Sequence, residues 1–209
     1  MFEADELIRR WTVLLPDSPA LGRALVTAYC EPARRYHDAR HLLTVLDGIQ
    51  VLADEAADLV AVRLAAWFHD AVYDVRAVDN EERSAGWAES ALPGAGVGDA
   101  VVRSVARLVR LTATHAPQPD DADGLVLCDA DLVILASPPA AYAAYTRAVR
   151  EEYAHVGDAD FRAGRAAVLE PLVALPALYG TSYGRREWEA AARANLTREL
   201  SELRGGSSR

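Results

Sequence analysis

Apolar residues recur at intervals of three and four along nearly the whole chain, and stretches that alternate apolar with polar positions are scarce. Intervals of three and four place side chains on one face of an α-helix, whereas alternation would place them on one face of a strand. The pattern predicts an all-α fold of about nine or ten helices. Helix starts are expected at Ser18-Pro19, Asp58, Asp79, Asp99 and Ser137-Pro138, where a capping residue precedes an apolar-periodic segment. Asp79 has Glu82 three residues later, as in a capping box. Breaks are expected at Leu15 to Ser18, near Glu31-Pro32, from Val72 to Asp79, from Pro93 to Gly98, across Ala116 to Gly124, and as a loop from Gly180 to Arg186. No internal repeat or long linker divides the chain, so residues 1–204 read as a single domain and residues 205–209 as a flexible Gly/Ser tail.

Composition narrows the classes of partner. With 51% hydrophobic and 25% charged residues the chain belongs among ordinary folded proteins. A formal net charge of −9 disfavours nucleic acid or an anionic membrane as the main partner, because both are held through cationic footprints. A small phosphorylated substrate needs only a metal and a few arginines, and all 22 basic residues are Arg. The acidic, amphipathic start lacks the basic-then-apolar order of a secretory signal, and no run of about 18 apolar residues occurs, so a cytoplasmic location without a membrane span is expected. Cys30 and Cys128 lack metal-binding spacing and read as small buried side chains rather than as a disulfide.

The candidate chemistry lies before residue 132. Tyr36-His37-Asp38-Ala39-Arg40-His41 sets two imidazoles at i and i+4, a spacing that shares a helical face. Twenty-eight residues beyond His41, Trp67-Phe68-His69-Asp70 closes an apolar helix. Adjacent helical residues diverge by about 100°, so His69 and Asp70 share a ligand only if it sits close to the helix end, as a metal ion does. Cys128-Asp129-Ala130-Asp131-Leu132 then sets two carboxylates in an apolar helix, which is costly without a cation or full hydrogen bonding. Nitrogen and oxygen donors without sulfur suit Mn, Fe, Ni, Mg or Zn.

The ordered set His41, His69-Asp70, Asp131 resembles the metal quartet of the HD superfamily, which implies an HD-domain-like helical bundle and metal-dependent hydrolysis of phosphoesters. Tyr36-His37-x-x-x-His41 is similar to the signature of helical cyclic-nucleotide phosphodiesterases. That similarity implies His41 as a ligand and His37 as the proton donor. Asn80-Glu81-Glu82-Arg83-Ser84-Ala85, Asp129-Ala130-Asp131-Leu132 and the segments Tyr142 to Tyr153 and Ala192 to Leu203 resemble a bacterial subgroup of metal-dependent HD phosphohydrolases, extending the likeness over nearly the whole chain. The substrate so implied is a nucleotide or another small phosphate ester, attacked by a metal-activated water, with Asp70 as a bridging ligand if a second metal binds.

Each assignment has a plainer alternative. His37-Asp38 lacks a preceding apolar run and is not read as the metal pair, and the histidines of the quartet can also be core residues satisfied by neighbouring acids. Asp131 is preferred to Asp129 on the alanine-aspartate-leucine pattern, although either carboxylate could reach. Glu81 is a further ligand, an outer-layer group or a solvated acid of a first helical turn; His115 is a site residue or simply favours a helix C-terminus. Arg147, Arg150 and Arg165 can present guanidinium groups to phosphate or lie on a solvated face with Glu151 and Glu152. Two rival functions stand beside hydrolysis: a di-iron HD-fold oxygenase, and a metal-stabilised binding or regulatory module without turnover.

Overall fold

The computed structural model describes residues 2–205, which form an all-α fold with ten α-helices and no β-strand among them. In chain order the helices are α1 (Phe2–Leu14), α2 (Pro19–Tyr29), α3 (Ala39–Val51), α4 (Leu59–Phe68), α5 (Asn80–Ala91), α6 (Asp99–Leu111), α7 (Ala122–Asp131), α8 (Pro139–Glu152), α9 (Asp158–Ala174) and α10 (Glu189–Gly205). Of the expected tail, Gly205 ends α10, and residues 206–209 lie outside the described residues.

Capping chemistry fixes the helix starts that matter for the site. Asp38 accepts from the backbone N–H of Arg40 and His41 and so starts α3, Asp58 accepts from Ala61 and starts α4, and Asp121 accepts from Gly124 and starts α7. The capping box expected at Asp79 does not form. Both oxygens of Glu82 are instead taken by the Arg110 guanidinium at 2.6 and 2.7 Å, a charge-assisted fork that outweighs a neutral N–H. Gly98 rather than Asp99 caps α6, and the Ser18 hydroxyl turns back to the Leu15 carbonyl. The loop expected from Gly180 to Arg186 is shorter, because a π-helical turn over Gly184–Trp188 leads directly into α10. Cys30 is exposed and only Cys128 is buried, against the expectation that both would be.

The core forms around α4, whose residues Leu64 to Phe68 are all buried and which packs against α3, α6 and α7. Trp67 on α4 meets Trp11 of α1 edge to face at 5.1 Å, and the Trp11 indole N–H donates to the Ser18 carbonyl. A second apolar cluster joins α8, α9 and α10 through Tyr142, Leu169, Tyr179 and Leu196, and Trp188 packs against both clusters. No single helix among the described residues is long and apolar enough to cross a membrane; Ala122–Ala136 with Pro139–Glu152 passes only as a pair bent by 104°.

The Trp11 ring leaves no room at position 22 of α2, where a Cβ on Gly22 would stand 2.2 Å from Cδ1 of the indole. Replacing a helical glycine by alanine normally gains about 1 kcal/mol, whereas overpacking a core costs about 1–3 kcal/mol. Since the indole is buried and bonded in place, the clash dominates. Gly22→Ala is expected to lower stability to urea unfolding by up to about 2 kcal/mol net; a raised midpoint would contradict it.

Candidate metal centre

Three helix ends meet at one point. His41 stands in the first turn of α3, His69 is the C-cap of α4 with Asp70 directly after it, and Asp131 is the last residue of α7. The Nε2 of His41 lies 3.0 Å from the Nε2 of His69, 3.1 Å from Oδ1 of Asp131 and 3.4 Å from Oδ2 of Asp70. The Nε2 of His69 lies 3.1 Å from Oδ2 of Asp70 and 3.6 Å from Oδ1 of Asp131. Metal bonds of about 2.0–2.2 Å put neighbouring ligand atoms roughly 2.8–3.6 Å apart in octahedral or tetrahedral geometry. The five spacings fall in that range, as the donors around a divalent ion would, and each of them involves His41, His69 or both. Among the described residues, His41, His69 and Asp131 also emerge as a compact potential metal-binding group, two of them buried.

The layer behind the four residues has the character of ligand support. The Ala66 carbonyl lies 2.8 Å from Nδ1 of His69 and accepts its proton, which leaves the Nε2 lone pair facing inward. His115, at φ +48°, places Nε2 2.8 Å from the second oxygen of Asp131. Burial disfavours the charge on Asp70 and Asp131, yet His69 and the hydrogen bonds of the neighbouring imidazoles hold both carboxyls well below the usual carboxylate range. Burial likewise opposes charge on His41 and His69, but the carboxylates outweigh it and raise both. The cluster is thus one in which the donors share whatever positive charge is present.

Asp129 points elsewhere. Its carboxylate accepts from the backbone N–H of Gly180 and Thr181, both at 2.8 Å, and from the Thr181 hydroxyl at 2.6 Å, tying the segment before α10 to α7. Arg147 is exposed on α8. Arg150 closes the α8–α9 turn by donating to the Tyr153 and Val156 carbonyls and to Asp158. Neither arginine faces the four donors. Glu81, His115 and Arg165 do line the cavity of about 670 Å³ onto which the donors open.

His37 precedes the α3 cap, so it does not share a helical face with His41 as the spacing suggested; the turn before Asp38 nevertheless brings the two rings to 5.6 Å. Its Nδ1 lies 2.7 Å from Oε2 of Glu152, a residue that sequence reasoning placed only on a solvated face. Glu152 is 8% exposed and accepts through Oε1 from the N–H groups of Arg35, Tyr36 and His37, while the Tyr73 hydroxyl donates to Oε2. Burial raises the Glu152 pKa, but the His37 hydrogen bond, its charge and the backbone donors bring it down to about 2. Arg34 was also missed. Buried to 5% exposure, it donates to the carbonyls of His37, Asp70 and Ala71 and so fastens the segment before α3 to the turn after α4. Its only sequence signal is an arginine in a break beside Glu31.

No protein-family model matches the chain, and neither a curated protein nor a solved structure matches it.

The opposite orientations of the two α7 carboxylates give a clear expectation. Asp131→Ala should lower bound metal per chain, read by elemental analysis after equilibration with Mn, Ni or Zn, at least tenfold; Asp129→Ala should lower thermal stability and keep the metal. Equal metal loss would place both carboxylates in the site.

A second expectation concerns Glu152. Because its folded-state pKa is depressed from 4.5 to about 2, its contribution is complete above the unfolded value and is lost as pH falls through 4.5 toward 2. A shift of that size corresponds to about 3 kcal/mol. Glu152→Gln should therefore be less stable than the parent chain by about 2–3 kcal/mol at pH 7, with the gap narrowing below pH 4.5 in urea titrations; a gap independent of pH would show that charge is not what Glu152 supplies.

Proposed function

We propose that the chain is a metal-dependent phosphohydrolase of the HD type, acting on a nucleotide or another small phosphate ester. The observation that carries this reading is the convergence of His41, His69, Asp70 and Asp131 on one point at the wall of a cavity that also contains a separate histidine, His37. A divalent Mn, Fe, Ni, Mg or Zn ion held by the four would supply a Lewis acid for the phosphoryl oxygens and lower the pKa of a water, making it nucleophilic near neutral pH.

The chain's own groups divide the remaining work. His115 holds the second oxygen of Asp131, leaving the first directed at His41. The contacts of Asp70 with His41 and His69 run through Oδ2, which leaves Oδ1 as the oxygen able to hold the attacking water. Glu152 fixes His37 through Nδ1 and leaves Nε2 free to give a proton to the departing oxygen. Arg165 is the guanidinium of the cavity, held by Glu199 and by the Tyr145 hydroxyl.

The test is a screen of nucleotides and simple phosphate esters with each metal, followed by the two histidine variants. Metal-dependent release of the alcohol or of phosphate is expected, and oxygen consumption by an iron form in its place would favour the oxygenase alternative. His41→Ala should lose metal. His37→Ala should retain metal and slow hydrolysis of alkyl esters by about 10²–10⁴, the usual contribution of a general acid. The loss should be smaller for nitrophenyl esters, whose leaving oxygen hardly needs a proton. Metal loss in both variants would make His37 a ligand, and full activity of His37→Ala on alkyl esters would refute its role.

A further inference from the structure

Beside the metal-facing cavity lies a second one of about 400 Å³, and His37, Tyr36, Tyr145, Tyr153, Arg165 and Val168 belong to the walls of both. Its own walls are largely apolar and aromatic. Tyr36 and Tyr145 meet at 4.6 Å on one side, and Tyr153 and Phe161 at 6.2 Å on the other. Val149 and Val156 complete the apolar lining, while Asp160 brings negative charge to the rim. Arg165, the guanidinium here, already forms an ion pair with Glu199 at 2.7 Å. A second phosphate would find a carboxylate and few free donors, whereas a flat apolar ring would find ring faces and methyl groups.

Two features tie this cavity to the chemistry. Nδ1 of His37 is taken by Glu152, so its available nitrogen is Nε2, on a side chain that borders both spaces. Val168 is 58% exposed although it stands where the two cavities adjoin, and a ligand spanning them would cover it. We propose that the cavity between α8 and α9 binds the alcohol portion of the substrate, and that this portion is an uncharged aromatic group, as in an aryl or nucleoside phosphate ester. The proposal rests on the hydrolase reading. Hydrolysis breaks the bond between phosphorus and the alcohol oxygen and forms one between phosphorus and the oxygen of water. His37 gives its Nε2 proton to the departing oxygen in the aromatic cavity, and a proton released from water restores it, so that acid and alcohol balance.

Position 164 provides the test. Gly164 lines the aromatic cavity, and a Cβ there would meet nothing within 4 Å, so a larger side chain enters open space without disturbing α9. Affinities of metal-loaded protein for 1-naphthyl phosphate and methyl phosphate are measured by NMR titration, and hydrolysis of both is followed in parallel. About 60 Å² of ring surface removed from water is enough for a tenfold gain, so the naphthyl ester should bind at least ten times more tightly. Gly164→Phe, which adds a ring to the cavity wall, and Val168→Asp, which charges its edge at an exposed position, should each reduce that ratio at least fivefold. Equal binding of the two esters, or a ratio that neither variant changes, overturns the proposal. If the binding pattern holds while neither ester is hydrolysed under any metal, the hydrolase reading fails and the aromatic site stands; if hydrolysis is metal-dependent without preference for the ring, the reverse follows.

Discussion

Two imidazoles stand 3.0 Å apart, and two carboxylates each lie within 3.1 to 3.6 Å of both of them, at largely buried helix ends. Left to themselves such groups repel or turn outward, because like charges in a low dielectric disfavour joint ionisation. The fold therefore has to restrain each one separately. His69 is restrained by the Ala66 carbonyl one turn back on α4, and Asp131 by the imidazole of His115. The backbone of His41 is set by the Asp38 cap, and that of Asp70 by the Arg34 guanidinium and the Tyr29 hydroxyl. The apolar packing of α4 between α3, α6 and α7 is what makes these small restraints sufficient, since it fixes the helix ends from which they act.

Two further buried charges lie just outside that cluster, and both are satisfied mainly by backbone. Arg34 serves three carbonyls and Glu152 three N–H groups, all belonging to the segment before α3 or the turn after α4. An irregular segment cannot satisfy its own peptide groups as a helix does, and when buried it needs side chains to do so. Here one cation and one anion supply that need from opposite directions. The pair also fixes where His37 stands, which is why a residue outside any helix can hold a constant position beside the His/Asp cluster.

What the sequence made legible follows from periodicity and from local spacing. The helices were readable because their apolar faces repeat, and the grouping of His41, His69, Asp70 and Asp131 because their order and residue types resemble the HD quartet. Glu152 was not readable. It reaches His37 across 115 residues of chain, and nothing local distinguishes it from its exposed neighbour Glu151. The two α7 carboxylates were separable only by pattern, since the partner of Asp129 lies some fifty residues away at Gly180 and Thr181. For Arg147 and Arg150 the solvated-face alternative is the one the structure favours, Arg147 being exposed and Arg150 closing the turn to α9. Local turn chemistry failed where a longer-range partner competed for the same group, as Arg110 does for Glu82.

His115 is the single non-glycine residue with positive φ among those described, and its imidazole supports Asp131. A left-handed backbone suits glycine and, among residues with side chains, chiefly asparagine, aspartate and histidine. The bond to the carboxylate asks for an N–H donor, which removes glycine and aspartate. Backbone and bond together favour histidine here, whose imidazole reaches the Asp131 carboxylate from a left-handed turn. The position thus works as a filter on sequence: variation at residue 115 is constrained from two independent directions, although the residue is neither in the core nor among the four converging donors.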